Sequence, residues 1–164
     1  MLNYKLYPTP KIAYLRKHYT GCASKDLSQW DTSAVVDMSY LFEDYPGDIP
    51  DISGWNTSNV KNMKAMFKGY KGRMPNISHW NTNNVEDMSY MFSNYGKSEI
   101  DLSNLNTSSV KNMSHMFSNS SVSKVIGLDT SNVEDMSHMF SGCYVNTIDL
   151  SDIKLIGNHN YENI

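Results

Sequence analysis

The chain has 164 residues, 40% of them hydrophobic, and a formal net charge of −3. Its size predicts a single domain, and the lack of a basic stripe argues against a nucleic-acid partner. No apolar run approaches the ~20 residues of a membrane span, and the N-terminus lacks the apolar core of a signal peptide, so we expect a cytoplasmic protein, or a surface or secreted one if a leader was removed.

Residues 1–26 are rich in tyrosine and do not share the pattern that follows them. Pro10 favours the start of a short helix across residues 11–19. Because the first unit of a stack exposes apolar edges, we interpret residues 1–26 as an N-terminal cap, with a separate binding arm as the alternative.

Residues 27–151 contain five copies of one motif, which in its second copy reads Trp-Asn-Thr-Ser-Asn-Val-Lys-Asn-Met-Lys-Ala-Met-Phe. The copies end on phenylalanines that are 25 residues apart, and 23 before the last: Phe42, Phe67, Phe92, Phe117 and Phe140. A fixed period of this length predicts stacked repeats that bury a core between neighbours. Residues 152–164 leave the pattern, and we interpret them as a C-terminal cap and tail.

The second half of each motif predicts a short helix. Thr57 and Ser58 offer an N-cap hydroxyl, and apolar residues follow at i, i+3, i+6 and i+7 from Val60, on one helical face. A Gly or Asn near the end, such as Gly69, favours termination. The predicted structural core includes Trp30, Trp55, Trp80, Met63, Phe67, Met88, Phe92, Met113, Phe117 and Phe140.

Two rows of this core have an alternative interpretation. Methionines at helical spacing are far more often core residues than ligands of a soft metal. Leucine replaces tryptophan at Leu105 and Leu128, which favours packing over an aromatic sugar-binding ridge.

Between the predicted helices, a short segment such as Ile100-Asp101-Leu102-Ser103 alternates apolar and polar residues, which predicts one short strand per repeat. Pro50 and Pro75 open this segment in two copies and should weaken its pairing, since proline donates no ladder hydrogen bond. The fifth repeat is two residues shorter, and we align Val125 with Leu102.

The motif Trp-Asn-Thr-Ser-Asn-Val-x-x-Met-x-x-Met-Phe, preceded by an Asp-Leu-Ser-type strand, resembles the short leucine-rich repeat of BspA-like surface proteins over about three quarters of the chain. The resemblance implies an α/β fold: a right-handed solenoid with one short strand and one short helix per repeat and a parallel sheet on one face. It also implies protein-binding or adhesion roles, common among secreted or surface-anchored proteins of bacteria and some protists.

The polar residues of the strand segments form what we call the acidic strip. Its members are Asp51, Asn76, Asp101 and Asp149, with Ser53, Ser78 and Ser103. Outward strand positions must be polar in any case, but repeat proteins commonly bind along such surfaces, so we expect the strip to contact a basic partner.

A second candidate surface is formed by the residues that stand two positions before each Phe. These residues should face solvent on the predicted helix. They carry mainly aromatic side chains: Tyr40, Tyr90, His115 and His138. A row of exposed aromatics predicts a partner-binding helix ridge. The alternatives are an ordinary surface and a zinc pair from His115 and His138, which lacks a third ligand at a metal-like spacing.

The residues after each motif valine alternate in charge, from Lys61 to Glu86 to Lys111 to Glu134. Stacked repeats would place each beside the next, and we predict a ladder of ion pairs that helps to fix the register.

The sequence contains no phosphate-binding loop, no Cys-x-x-Cys and no nucleophile with its base outside the repeat register. We therefore expect a non-enzymatic protein–protein interaction module that needs no cofactor or metal, in a concrete form an intracellular immunity-type inhibitor of a toxin or enzyme. The alternative is a surface or adhesion module that binds host protein or glycan. The sequence leaves the oligomeric state open.

Overall fold

The computed structural model describes residues 27–28 and 30–144. Within this part of the chain there are two strands, β1 at Glu99–Asp101 and β2 at Lys124–Ile126, and no helix. The two strands pair in parallel. The two predicted caps and Asp149 lie outside the described residues.

The predicted α/β solenoid, with a helix in every repeat and a sheet along one face, is therefore wrong. The described repeats consist of turns that lie side by side, with parallel backbone bridges between neighbours at one equivalent position: Asp37, Asn62, Asp87, Asn112 and Asp135.

Left-handed residues explain why no helix forms. The position two before each Phe has φ between 53° and 60° in all five copies: Tyr40, Ala65, Tyr90, His115 and His138. A second left-handed residue follows four positions later, with φ between 53° and 70°: Asp44, Gly69, Asn94, Asn119 and Gly142. An α-helix needs φ near −63°, so each of these residues interrupts it.

In residues 63–69, successive backbone N–H groups donate alternately to the next repeat and to a carbonyl of their own repeat. The N–H groups of Met63, Ala65, Phe67 and Gly69 donate to carbonyls of the next repeat at 2.8–3.1 Å. The intervening N–H groups close turns within the repeat, as Met66 does on the Met63 carbonyl at 3.2 Å. Alternate donors thus join neighbouring repeats, whereas a helix would satisfy its own backbone.

Asp and Asn side chains close three corners of the second repeat. The Oδ1 atoms of Asp51, Asn56 and Asn62 accept the N–H of the residue two positions on, at 2.9–3.0 Å. Thr57, assigned above to a helix N-cap, instead donates its hydroxyl to the Asn81 carbonyl of the next repeat at 3.0 Å. These are Asx turns, in which the side-chain oxygen takes the place of a backbone acceptor, and they form corners of the repeat for which a helix was predicted.

The core consists of side-chain rows that run through the stack. The phenylalanines of successive motifs stack with ring centroids 5.4–5.8 Å apart, and Trp30, Trp55 and Trp80 stack at 6.3 Å. The residues of the predicted core are buried, except that Trp30 is half-buried. Trp80 is only 3% exposed and donates its indole N–H to the Ile52 carbonyl at 3.2 Å, so its ring offers no face to a sugar.

The alignment of Val125 with Leu102 is also wrong, because Val125 lies opposite Ile100 in the strand pair. Both side chains are buried, and register follows the inward positions. The two missing residues fall at the next corner, where Gly127, with φ of 75°, replaces the three residues 102–104. The strand pair also lies where neither segment contains proline, as the effect of Pro50 and Pro75 predicts.

Two of the predicted ion pairs are confirmed. Lys61 and Glu86 lie 3.6 Å apart, and Lys111 and Glu134 lie 3.4 Å apart. The four side chains are at least half exposed, so each pair stabilises the register by no more than about 0.2–1 kcal/mol.

Candidate functional site

The structure places Asp51, Asn76 and Asp101 of the acidic strip at equivalent corners of successive repeats, and all three are exposed. Each side chain accepts the N–H of the serine two residues on, at 2.9–3.1 Å: Ser53, Ser78 and Ser103. The strip is therefore a row of Asx turns whose side chains are held by their own backbone.

These turns also fix the charge of the strip. The N–H and hydroxyl of Ser53 hold the pKa of Asp51 below its ordinary value, and the hydroxyl and N–H of Ser103 do the same for Asp101. Both carboxylates are ionised near neutral pH, with the neutral Asn76 between them. The arrangement can attract a cationic group without placing two carboxylates side by side.

The residues of the predicted helix ridge lie on left-handed turns instead of a helix. Tyr90, His115 and His138 form a column with ring centroids 4.4 and 4.8 Å apart and interplanar angles of 9° and 18°. These three side chains and Tyr40 are half-buried, whereas Ala65 at the equivalent position is buried. The column is a packed surface feature whose binding role stays a prediction.

The electrostatics of this column centre on His115. Burial lowers the pKa of His115, the charge of His138 lowers it further, and the carboxylate of Asp135 opposes both. Burial acts to raise the pKa of Asp135, but hydrogen bonds from Ser137 and Ser114 and the charge of His115 outweigh it and lower the pKa. Among the described residues, no three His, Cys, Asp or Glu side chains form a group that could hold a metal ion.

Sequence reasoning missed a cleft of about 660 Å³ beside the acidic strip. Its walls include the cationic side chains of Lys71, Arg73 and Lys97. A smaller cavity of about 300 Å³ shares part of its wall and is lined by Asn76 and Asp101 of the strip. The signal in the sequence was the proline at position 75, which prevents local pairing, together with the cluster of cations around it.

The comparisons with known proteins give a family and no closer relative. A family model described as "Mycoplasma protein of unknown function, DUF285" matches residues 10–124 and 69–161. No curated protein and no solved structure shows significant similarity to the chain.

The part of the chain that the structure describes forms no helix able to cross a membrane. The two matches to the family model overlap over residues 69–124, as expected when a family model itself spans several copies of a repeat. Together they cover well over half of the sequence, and the chain therefore belongs to the family of Mycoplasma proteins of unknown function, DUF285.

Proposed function

We propose that this chain is a non-enzymatic protein-binding module whose acidic strip contacts a basic surface of its partner. The observation that carries the proposal is the state of Asp51 and Asp101, which are exposed yet held by hydrogen bonds to their own turns. A side chain that is already oriented loses less rotamer entropy on binding, so more of its interaction energy remains as affinity.

The position of the strip supports the same role. The carboxylates of Asp51 and Asp101 lie at exposed corners of the repeats, so a partner can reach them. Their lowered pKa values keep them ionised, and an oriented row of charges favours a partner of complementary pattern.

In its concrete form, we propose an intracellular inhibitor of the immunity type, which would neutralise a toxin or enzyme by covering a basic surface. The second candidate is an adhesion module, which the resemblance of the motif to BspA-like surface proteins favours. Fractionation of the source cells separates the two candidates, because an inhibitor of this type remains in the cytoplasm and an adhesion module is found at the surface.

Affinity capture from the source cells, followed by mass spectrometry, should identify the partner. Calorimetry with the purified partner then tests the strip. We expect Asp51→Lys with Asp101→Lys to weaken binding at least ~10-fold, which corresponds to about 1.4 kcal/mol.

Asp31→Lys is the matched control, because Asp31 is also exposed and accepts the Ser33 N–H at 3.0 Å, but lies at a different corner of the first repeat. It should bind as the unmodified chain does. Equal affinity of the strip variant, with an unchanged unfolding temperature, would refute the strip as the contact surface.

A further inference from the structure

The cleft beside the acidic strip lies where two neighbouring segments fail to pair. Between residues 95–98 and 121–124, the Ser121 N–H donates to the Tyr95 carbonyl at 2.9 Å, and the Ser123 N–H donates to the Ser98 carbonyl at 2.7 Å. The preceding segment, residues 70–78, forms no backbone hydrogen bond with residues 95–105.

Proline explains this difference. Pro75 occupies the position of Ile100, whose strand pairs with the next repeat. Because proline has no N–H, the third repeat cannot complete the ladder toward the fourth. The gap is thus encoded in the sequence and leaves the facing edge of β1 uncovered.

The hydrogen-bonding groups on that edge are available. In a parallel pair, alternate residues of a strand direct their N–H and C=O groups to opposite sides. Ser98 and Leu102 bond toward the fifth repeat, so Glu99 and Asp101 direct their backbone groups toward the gap. Within the described residues β1 pairs with β2 alone, so its other edge is free, and a free strand edge is a template for an added strand.

The gap has space for a ligand. It lies at a shallow cleft of about 660 Å³ that is open to solvent, so a peptide segment could enter it from the surface. Half-buried Met74 and buried Tyr95 supply apolar wall, and both also line the adjoining cavity of about 300 Å³. An extended chain could therefore run from the cleft past the acidic strip.

The charge of the cleft selects the ligand. Lys71, Arg73 and Lys97 face two carboxylates, those of Asp48 and Glu99, so the wall carries one net positive charge in a chain whose net charge is −3. The Asp48 carboxylate already accepts the backbone N–H of Arg73 at 2.8 Å. The Lys71 ammonium donates to the carbonyl of Asn94.

The fork of a guanidinium binds a carboxylate with two parallel hydrogen bonds. We propose that this cleft binds an extended acidic peptide segment, which pairs with the free edge of β1 and places a carboxylate against Arg73 and Lys97. The inference rests on the proposed function and deepens it: the partner would present an acidic residue to the cleft and a basic residue to the strip.

Synthetic peptides test the cleft without the natural partner. The probes are fluorescent, N-acetylated hexapeptide pools with Asp or Glu at one fixed position and apolar residues elsewhere, compared with pools carrying Asn or Gln there. Fluorescence polarisation should show the acidic pools binding at least ~10-fold more tightly. Methylation of alternate backbone nitrogens should abolish binding, because it removes donors to the strand edge.

Arg73→Gln with Lys97→Gln should weaken the acidic pools at least ~10-fold and leave the amide pools unchanged. Arg73→Gln keeps the N–H that bonds to Asp48, so the local fold is retained. Lys61→Gln with Lys111→Gln is the matched control, since both lysines are exposed and lie outside the cleft. Equal binding of acidic and amide pools, or full competition by inorganic phosphate at the peptide's own affinity, would overturn the proposal.

The two proposals fail separately. Suppose that Asp51→Lys no longer binds the captured partner, whereas Arg73→Gln with Lys97→Gln still binds both the partner and the peptides. This result refutes the cleft as a binding site and leaves the strip standing. Specific binding of acidic peptides, with no effect of Asp51→Lys on the partner, refutes the strip alone.

Discussion

Asn62 and Asp87 lie opposite each other in neighbouring repeats, joined by a parallel backbone bridge. They belong to a row that alternates between charged and neutral side chains: Asp37, Asn62, Asp87, Asn112 and Asp135. Each side chain accepts the N–H two residues on at 2.8–2.9 Å. Because bridged backbones lie ~4.8 Å apart, an uninterrupted row of Asp would place like charges side by side.

Asn62→Asp with Asn112→Asp makes every member of this row acidic. The change creates four new like-charged neighbours. Two unit charges ~4 Å apart in water interact by about 1 kcal/mol before salt screening, so we expect about 2–4 kcal/mol of destabilisation at neutral pH. Urea unfolding at pH 7 in low and in high salt measures it, and the loss should shrink in high salt, because salt screens charges that lie near the surface. Asp87→Asn, which removes a charge from the same row, should not destabilise. An unchanged free energy of unfolding in the double variant at pH 7 would contradict this account.

Gly127→Ala should destabilise the chain strongly. Gly127 has φ of 75°, and a Cβ there would collide with the backbone of Ser103 in the preceding repeat. The left-handed backbone alone costs about 1–2 kcal/mol for an L-residue, and the collision adds to that cost. Gly47→Ala is the control, because a Cβ at that position would meet nothing within 4 Å. Similar melting temperatures for the two variants would show that the corner has been misassigned.

Protonation of His115 should lower stability. The pKa of this residue is lowered by burial and by His138, against the attraction of Asp135. A histidine with a lower pKa in the folded chain binds its proton more readily when unfolded. Its contribution is complete above the unfolded value of about 6.5 and is lost as the pH falls through the folded pKa.

We therefore expect the free energy of unfolding to fall from pH 7 to pH 5. His115→Phe keeps a ring between Tyr90 and His138 and should flatten this part of the curve. If the slope stays the same in the variant, a group other than His115 is responsible.

Thr82→Val should cost more than Thr82→Ser. The buried Thr82 hydroxyl donates to the Asn106 carbonyl at 2.9 Å. Equivalent bonds of 2.8–3.0 Å are made by Thr32, Thr57 and Thr107. Valine keeps the shape but removes a donor, at about 1–3 kcal/mol, whereas serine keeps the donor and loses one methyl group at about 0.8 kcal/mol. A valine variant as stable as the unmodified chain would show that this hydrogen bond does not stabilise the fold.

The spacing of apolar residues identified the core but not the backbone that presents it. Met63, Met66 and Phe67 point inward, as their intervals predict, and a run of alternating turns satisfies the same intervals as a helix. The left-handed position two residues before each Phe carries Ala, Tyr or His. None of the five copies has glycine there, the residue type that most clearly indicates a positive φ. The sequence does show the residues of the Asx corners, such as Asn56-Thr57-Ser58, but the hydroxyls of Thr57 and Ser58 fit a helix N-cap equally well.

The sequence predicted the exposure of Asp51 and Asp101, because they stand at outward positions of an alternating segment. It could not locate the cleft, because that required knowing which neighbouring segments fail to pair. Pro75 identifies the gap once Ile100 and Val125 are known to lie opposite each other. The alignment of Val125 failed for a related reason: a two-residue deletion fits several places until the buried side chains fix the register.

Left-handed turns, and no helix, form the second half of each described repeat and set which side chains reach the surface. The most direct test is an NMR measurement of φ at Tyr90 and His115, from the intraresidue HN–Hα distance and the three-bond HN–Hα coupling. The account predicts positive φ, 60° at Tyr90 and 57° at His115. Values near the −63° of an α-helix at both residues would contradict it.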